Sequence, residues 1–484
     1  MTNRIALTLL SLALLAGCQT AKPPGDLPPP EGDLAYLLTA NPAAVTPAQL
    51  IASVAAADAR VLSDNLVEGI YWQAIRYDNA TAPNGYGSGG DSLLFSGMYL
   101  ASRAYRYGVT KDSDDLDQAL EALRGIYILT HVSGAPGALM RCAFPTATPE
   151  PWHYPGAWQS RIDKGFVYDS PTDVADPFNP GQSLPQMTFY TRVTRDQITG
   201  LVYGLSVFWN VMDPAIAANA SDRAKLEQAR QILAQTVEDV YRKLRADDWS
   251  IRDQTGRNDT NSDSVGEDLL RLSLLGLYRH TATLTGDAAR VERIQDKYED
   301  ILYILRTLGV FPSDPFNAFS NAQQYYAWNL RFTRASALWM NADVSDRPLI
   351  SDYIRRWMFK WVSGHKNAWF SLVYAVTTSP TDQDIVDDAV LSLRSWALRP
   401  ATGWPSPLAM GWGRDYSPPS AVERISGVGN DRVLWPHLRK PTTYWTWQKD
   451  PWDAGTTYPI AGFDGVGLDL ILPYWMARYY GLIQ

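Results

Sequence analysis

The sequence predicts an all-α fold built of helical hairpins, and three observations predict it. From about residue 47 onward the apolar period is helical. The helices alternate between two types, one apolar all round and one with a single apolar face. Short turns carrying acidic or N-capping residues join the two types in pairs.

Taken in order, the first helix begins at about Pro47. Five inner-then-outer hairpins follow, at roughly 91 to 131, 195 to 246, 263 to 308, 321 to 363 and 367 to 398. The inner helices read "DSLLFSGMYLASRAY", "ITGLVYGLSVFWNV" and "SVGEDLLRLSLLGLY". With no polar face they demand burial. The outer ones keep a 3,4 spacing, as in Leu226, Ala229, Leu233, Val237, Val240 and Leu244, or Val291, Ile294, Tyr298, Ile301 and Leu305. Turn signals stand near Asp112, Asp222, Asp287, Asp346 and Asp382. A last inner helix, "GVGLDLILPYWMARYYGL", lacks a following partner, and the first helix supplies one. That pairing closes the array into a single toroid of six hairpins; an open solenoid of helical repeats is the alternative.

Two segments interrupt the period, about 133 to 192 and about 400 to 463, and both are rich in Pro and Trp. Long aromatic loops of this kind are usually functional. Each precedes an inner helix, so one face is expected to collect the loops and the inner-helix N-termini.

The N-terminus, "MTNRIALTLLSLALLAGCQT", has a basic start at Arg4, a short apolar run and Leu15-Ala16-Gly17-Cys18. It resembles a bacterial lipoprotein signal. That resemblance implies cleavage after residue 17, lipidation of Cys18 and anchoring to a membrane through the lipid, with Gln19 favouring the outer membrane. The apolar run is too short for a spanning helix. The expected organisation is a signal peptide (1–17), a lipidated Cys and Pro-rich tether (18–46), and one toroid domain (47–484).

The six-hairpin arrangement is similar to the (α/α)6 toroid of many carbohydrate-active enzymes, six-hairpin glycosidases and several polysaccharide lyases among them. The similarity rests on periodicity and hairpin count over most of the mature chain, with no motif that fixes one enzyme family. It implies a carbohydrate partner bound in a cleft at the inner-helix N-termini.

Composition agrees with a cleft and removes other classes. The chain has 18 Trp and 26 Tyr, more aromatic surface than a core needs. A net charge of -8 with no basic run argues against a nucleic-acid partner. With only Cys18 and Cys142, lipidation leaves no intrachain disulfide and no Cys-based metal site. Cys142 reads as a small buried residue. No serine-hydrolase elbow, phosphate loop, dinucleotide fingerprint or zinc helix motif is present.

Glycosidic hydrolysis needs a carboxylic acid and a carboxylate facing one bond. Asp91, Asp196, Asp263, Glu267 and Glu423 are the candidates, and Asp91 with Asp196 is the preferred pair. Capping alone would explain either Asp. It leaves Arg195 and Gln197, beside Asp196 in "VTRDQITG", unexplained, so both are read as substrate binders. Arg141, Trp152, His153 and Tyr154 in the first insertion, and Trp412 and Trp445 in the second, complete the expected binding set. A lyase would instead use His153 or Tyr154 as base beside Arg141 or Arg161. A non-catalytic glycan-binding or envelope-assembly lipoprotein is a further alternative. Asp259, Asn261 and Asp263 have alternating oxygen spacing suited to Ca2+, but Ser264 and Leu270 break the EF-hand pattern; an Asx-rich cap is the simpler account. No cofactor is otherwise expected, and the expected state is a monomer.

Overall fold

The computed structural model describes residues 40–72, 74–75, 85–87, 89–147, 157–257, 268–285, 288–311, 325–378, 382–398, 433–439, 445–448, 450–452 and 467–484, with single residues at 423 and 430. The chain is mostly helical, as its period predicts. In order it forms α1 (Pro47–Asp64), the hairpin β1 (Leu66–Val67) and β2 (Ile70–Tyr71), the pair β3 (Ala74–Ile75) and β4 (Gly85–Tyr86), α2 (Ser92–Thr110) and α3 (Ser113–His131). Next come β5 (Cys142–Pro145), α4 (Ala157–Asp163), β6 (Val167–Asp169), β7 (Met187–Tyr190), α5 (Arg195–Val211) and α6 (Ala220–Ala246). The remainder is α7 (Asp268–Thr285), α8 (Ala288–Leu308), α9 (Tyr326–Asn341), α10 (Arg347–Trp357), α11 (Ala368–Thr377), α12 (Gln383–Ala397) and α13 (Leu468–Tyr479).

The two helix types divide as their patterns require. On α5 every residue from Gln197 to Trp209 is buried, whereas α6 buries the stripe that includes Leu226, Ala229, Leu233, Val237, Val240 and Leu244. The all-apolar helices pack on one another: α2 on α5, α5 on α7 and α9, α7 on α9, α9 on α11, α11 on α13, and α13 on α2. The amphipathic helices lie against them, α3 on α2, α6 on α5 and α7, α8 on α7, α10 on α9, α12 on α11, and α1 on both α13 and α12.

Glycine sets the tightest crossing. A Cβ on Gly97 of α2 would lie 2.0 Å from the carbonyl oxygen of Gly200 on α5, and one on Gly204 would lie 2.2 Å from that of Gly97. The two backbones touch directly, which explains why small residues punctuate these apolar helices. Buried ions then tie the apolar helix α2 to the amphipathic helices α1 and α3. Asp58 of α1 receives the guanidinium groups of both Arg103 and Arg106 of α2, and Arg106 also meets Asp115 of α3 at 2.8 Å.

The turn signals resolve unevenly. Asp112 and Asp382 cap their helices through their side chains. Asn219, not Asp222, caps α6, and Asp346 spends its carboxylate on Arg306 at 2.7 Å rather than on a cap bond. Asp287 lies outside the described residues.

The first insertion is more regular than a loop. Its strands form an antiparallel sheet in the order β5-β7-β6, pairing Cys142 with Tyr190 and Val167 with Tyr190. Arg141 therefore precedes one sheet strand and Arg192 follows another, just ahead of α5. The second insertion is described only in part. Its one-turn helix Thr446–Gln448 meets α9 and α11.

Candidate functional site

Asp91 stands at the head of α2, where its backbone carbonyl accepts the Phe95 N–H at 3.0 Å. Its side chain makes no cap bond to its own helix. The carboxylate turns to α5 instead and accepts the Gln197 side-chain N–H at 3.0 Å. The Arg141 guanidinium approaches the same oxygen at 3.6 Å. Arg141 is itself oriented by the carbonyls of Gly90 and of Arg192, the latter at 3.0 Å. The sheet holds this arginine in place through the backbone, since its N–H donates to Tyr190 and its carbonyl accepts from Leu93 of α2. With 36% of the Asp91 side chain and 21% of the Arg141 side chain exposed, the pair remains open to a ligand.

Gln197 corrects one expectation. Capping explains it in part: its side-chain oxygen accepts the Thr194 N–H at 2.7 Å and the Thr194 hydroxyl at 2.6 Å, the reach-back half of a capping box. Its amide N–H groups remain for Asp91 and, at 3.4 Å, the Gly90 carbonyl. One buried side chain thus closes the start of α5 and bridges to α2.

Arg195 and Asp196 occupy the first turn of α5, each half-buried. Among the described residues neither side chain has a hydrogen-bond or ion-pair partner. Asp196 has the helix N-terminus beneath it, a favourable setting for a carboxylate. One turn on, the Thr199 hydroxyl donates to the Arg195 carbonyl at 3.0 Å and accepts from Arg334 of α9 at 2.8 Å. Arg334 is buried, as are Asn329 and Arg331 on the same helix. Sequence reasoning marked Asn329 as a polar residue at an inner-helix head but passed over the two arginines. The signal was present in "NLRFTRAS", where two arginines interrupt a helix that otherwise has no water-facing side.

The aromatic expectation changes at Trp445. Its ring is fully buried, packed at 6.5 Å centroid distance from Phe95 and 5.6 Å from Trp369, and its N–H donates to Asn329 at 2.8 Å. No face is open for a sugar; the ring is core. Trp447 is equally buried and donates to the Asp469 carbonyl at 2.6 Å, while Asn367 at the head of α11 donates to the Trp447 carbonyl at 2.9 Å. Trp452 packs edge-on against His365 at 4.8 Å. The short segment 445–448 therefore joins the heads of α9, α11 and α13 to the first turn of α2. Trp152, His153, Tyr154 and Trp412 lie outside the described residues, as do Cys18, Asp263 and Glu267.

Cys142, on β5 next to Arg141, is buried as its surroundings in the sequence suggest. Burial pushes its thiol up to about 12, against the lowering influence of Arg161 and Arg141. It is no nucleophile in this state. Among the described residues no group of three His, Cys, Asp or Glu side chains gathers as a metal site would require. The calcium expectation at Asp259, Asn261 and Asp263 falls outside them. Also among the described residues, no helix is long and apolar enough to cross a membrane.

The arrangement offers a partly exposed carboxylate fixed by an amide and a guanidinium, a second carboxylate at an adjacent helix head, and a cation one residue before it. Comparison with protein-family models, with curated proteins and with solved structures finds no match to the chain.

Proposed function

We propose that this chain is an envelope lipoprotein whose helices close into an (α/α)6 toroid and that it hydrolyses glycosidic bonds at the inner-helix N-termini. The contacts of α13 with α1 and α2, and of α12 with α1, support closure over an open solenoid, because a solenoid leaves its first and last repeats apart. Residues 47–484 then form one domain, and lipidated Cys18 holds it at the outer membrane.

The observation that carries the catalytic reading is the placement of Asp91. An aspartate at a helix head normally satisfies its own helix. Asp91 makes no such bond and is held by Gln197 and Arg141 from two other elements, with its carboxylate partly exposed. This is the preorganisation that a catalytic carboxylate needs. A carboxylate that receives donors suits the base or nucleophile, and Asp196 at the adjacent helix head is the second carboxyl group of the pair.

The test is a screen of purified chain against bacterial and plant polysaccharides, reading both new reducing ends and the ultraviolet absorbance of unsaturated uronates. Hydrolysis predicts reducing ends alone, and Asp91→Asn should lower kcat by about 100-fold or more. Absorbance would assign lyase chemistry instead. Binding without either signal would leave a glycan-binding lipoprotein. Anchoring is tested separately, since Cys18→Ser should move the protein from the membrane fraction to the soluble one.

A further inference from the structure

Building on the glycan-cleaving reading, we infer that the substrate is a polyanionic glycan whose carboxylates or sulfates are received by arginines beside the head of α5. The inference starts from how those arginines are held. Arg257 donates to the carbonyls of Gly165 at 2.8 Å and Lys164 at 3.3 Å, and Arg252 to the carbonyl of Gly256 at 3.0 Å. Arg141 is also braced by carbonyls, those of Gly90 and Arg192, although it differs in facing the Asp91 carboxylate at 3.6 Å. A carbonyl orients a guanidinium without cancelling its charge, whereas a carboxylate does both.

Among the described residues, neither Arg195 nor Arg252 nor Arg257 has a carboxylate partner. One acid beside them, Asp253, is buried and turns one oxygen to the backbone N–H groups of Thr255 and Arg257, at 2.8 Å and 3.0 Å. The cations are also contiguous. Arg192 and Arg257 both lie over the Phe166 ring, at 5.8 Å and 4.3 Å from its centroid, and with Arg252 they line one recess. The Arg192 carbonyl links that recess to Arg141 and so to Asp91.

A chain with a net charge of -8 has thus placed Arg195, Arg252 and Arg257, which have no carboxylate partner among the described residues, beside the helix that bridges to its candidate catalytic carboxylate. The guanidinium fork matches carboxylate and sulfate oxygens in pairs, and the N-terminus of α5 adds its partial positive charge. Neutral glycans offer these groups only hydroxyls, which leave the charge without a counterpart.

The test is binding of the purified full chain to polygalacturonate, alginate, dextran sulfate, dextran and laminarin by affinity electrophoresis, with cleavage followed in parallel. Acidic glycans should bind about tenfold or more tightly than neutral ones, and the advantage should shrink as salt rises. The sulfated and uronate arms identify which anion is preferred. Arg252→Gln and Arg257→Gln should each weaken acidic-glycan binding about three- to tenfold, while Arg245→Gln on the outer helix α6 leaves it unchanged. Arg257 also braces its own loop, so Arg195→Gln supplies an independent variant at the helix head. Equal affinity for neutral and acidic glycans, or acidic binding that ignores salt and all three substitutions, overturns the inference. Cleavage of neutral glycans without charge dependence would overturn it while leaving the hydrolase reading intact. Tight acidic binding without cleavage would support it and remove only the hydrolase.

Discussion

Gln197 donates to the Asp91 carboxylate at 3.0 Å, from the first turn of α5 to the head of α2. The same side chain accepts from Thr194, so its two ends have different work. Gln197→Glu separates them. The new carboxylate still accepts from Thr194 but faces Asp91 as a like charge with no donor. At neutral pH this should cost about 1–3 kcal/mol, measured as a lower urea midpoint. In acid the introduced group takes a proton and can donate again, so the deficit should shrink. A deficit that stays constant with pH would show that the bridge matters only sterically.

Gly200→Ala sets two magnitudes against each other. Alanine improves helix propensity by about 1 kcal/mol. At this position, however, the added Cβ would lie 2.1 Å from the Leu94 carbonyl oxygen, a backbone atom with no rotamer to change. Separating α2 from α5 should therefore dominate, with a net loss of roughly 1–3 kcal/mol in chemical denaturation. A stabilised variant would mean that the crossing is looser than described.

Asp176 provides a pH dependence. Burial alone would push its carboxyl up, but the bonds from Asn179 and Arg124, both at 2.9 Å, and from the Phe178 N–H hold it below its ordinary value. Its unfolded counterpart titrates near ~3.9. The lowered folded value means that its contribution is complete above that pH and is lost as pH falls through the folded one. Asp176→Asn should thus be destabilised at neutral pH by about 1–3 kcal/mol, and its gap from wild type should narrow below about pH 4. Urea midpoints at several pH values check this.

Cys142 predicts a silent thiol. Buried, and with its thiol pushed up to about 12, it should resist maleimide in native buffer and react stoichiometrically in denaturant. The measurement uses chain carrying Cys18→Ser, so that a single sulfur reports. Rapid native labelling would place β5 at the surface.

Trp445→Phe keeps most of the ring volume but strands the Asn329 side-chain oxygen. It should lower stability by about 1–3 kcal/mol without altering glycan affinity. A specific loss of affinity with stability unchanged would return Trp445 to the binding set.

Periodicity made the helical hairpins legible because an apolar helix and a striped helix have only one stable way to be used, inside and outside. The polar threshold of α5 was legible as a helix end open to other groups, although "VTRDQ" contains its own reach-back pair, Thr194 and Gln197, three residues apart. The sheet β5-β7-β6 was not legible, since its strands span only three or four residues and are paired across a long intervening segment. Local pattern carries no information about such partners. Tryptophan misled for a related reason: an indole serves equally as wall or as stacking platform, and only its neighbours decide. For Trp445 those neighbours come from residues 95, 329 and 369, far away in the chain.

The short turn that carries Trp445 and Trp447 also constrains the order in which the protein folds. It seats against Phe95 of α2, Asn329 of α9, Trp369 of α11 and Asp469 of α13. In the chain α2 precedes this turn by hundreds of residues. Its head therefore stays without this cover, apolar surface included, until Trp445 has followed. Such late, long-range closure is slow and exposes nascent chains to aggregation. Closure of the helix heads accordingly joins residues that lie hundreds of positions apart in the chain, from Phe95 to Asp469.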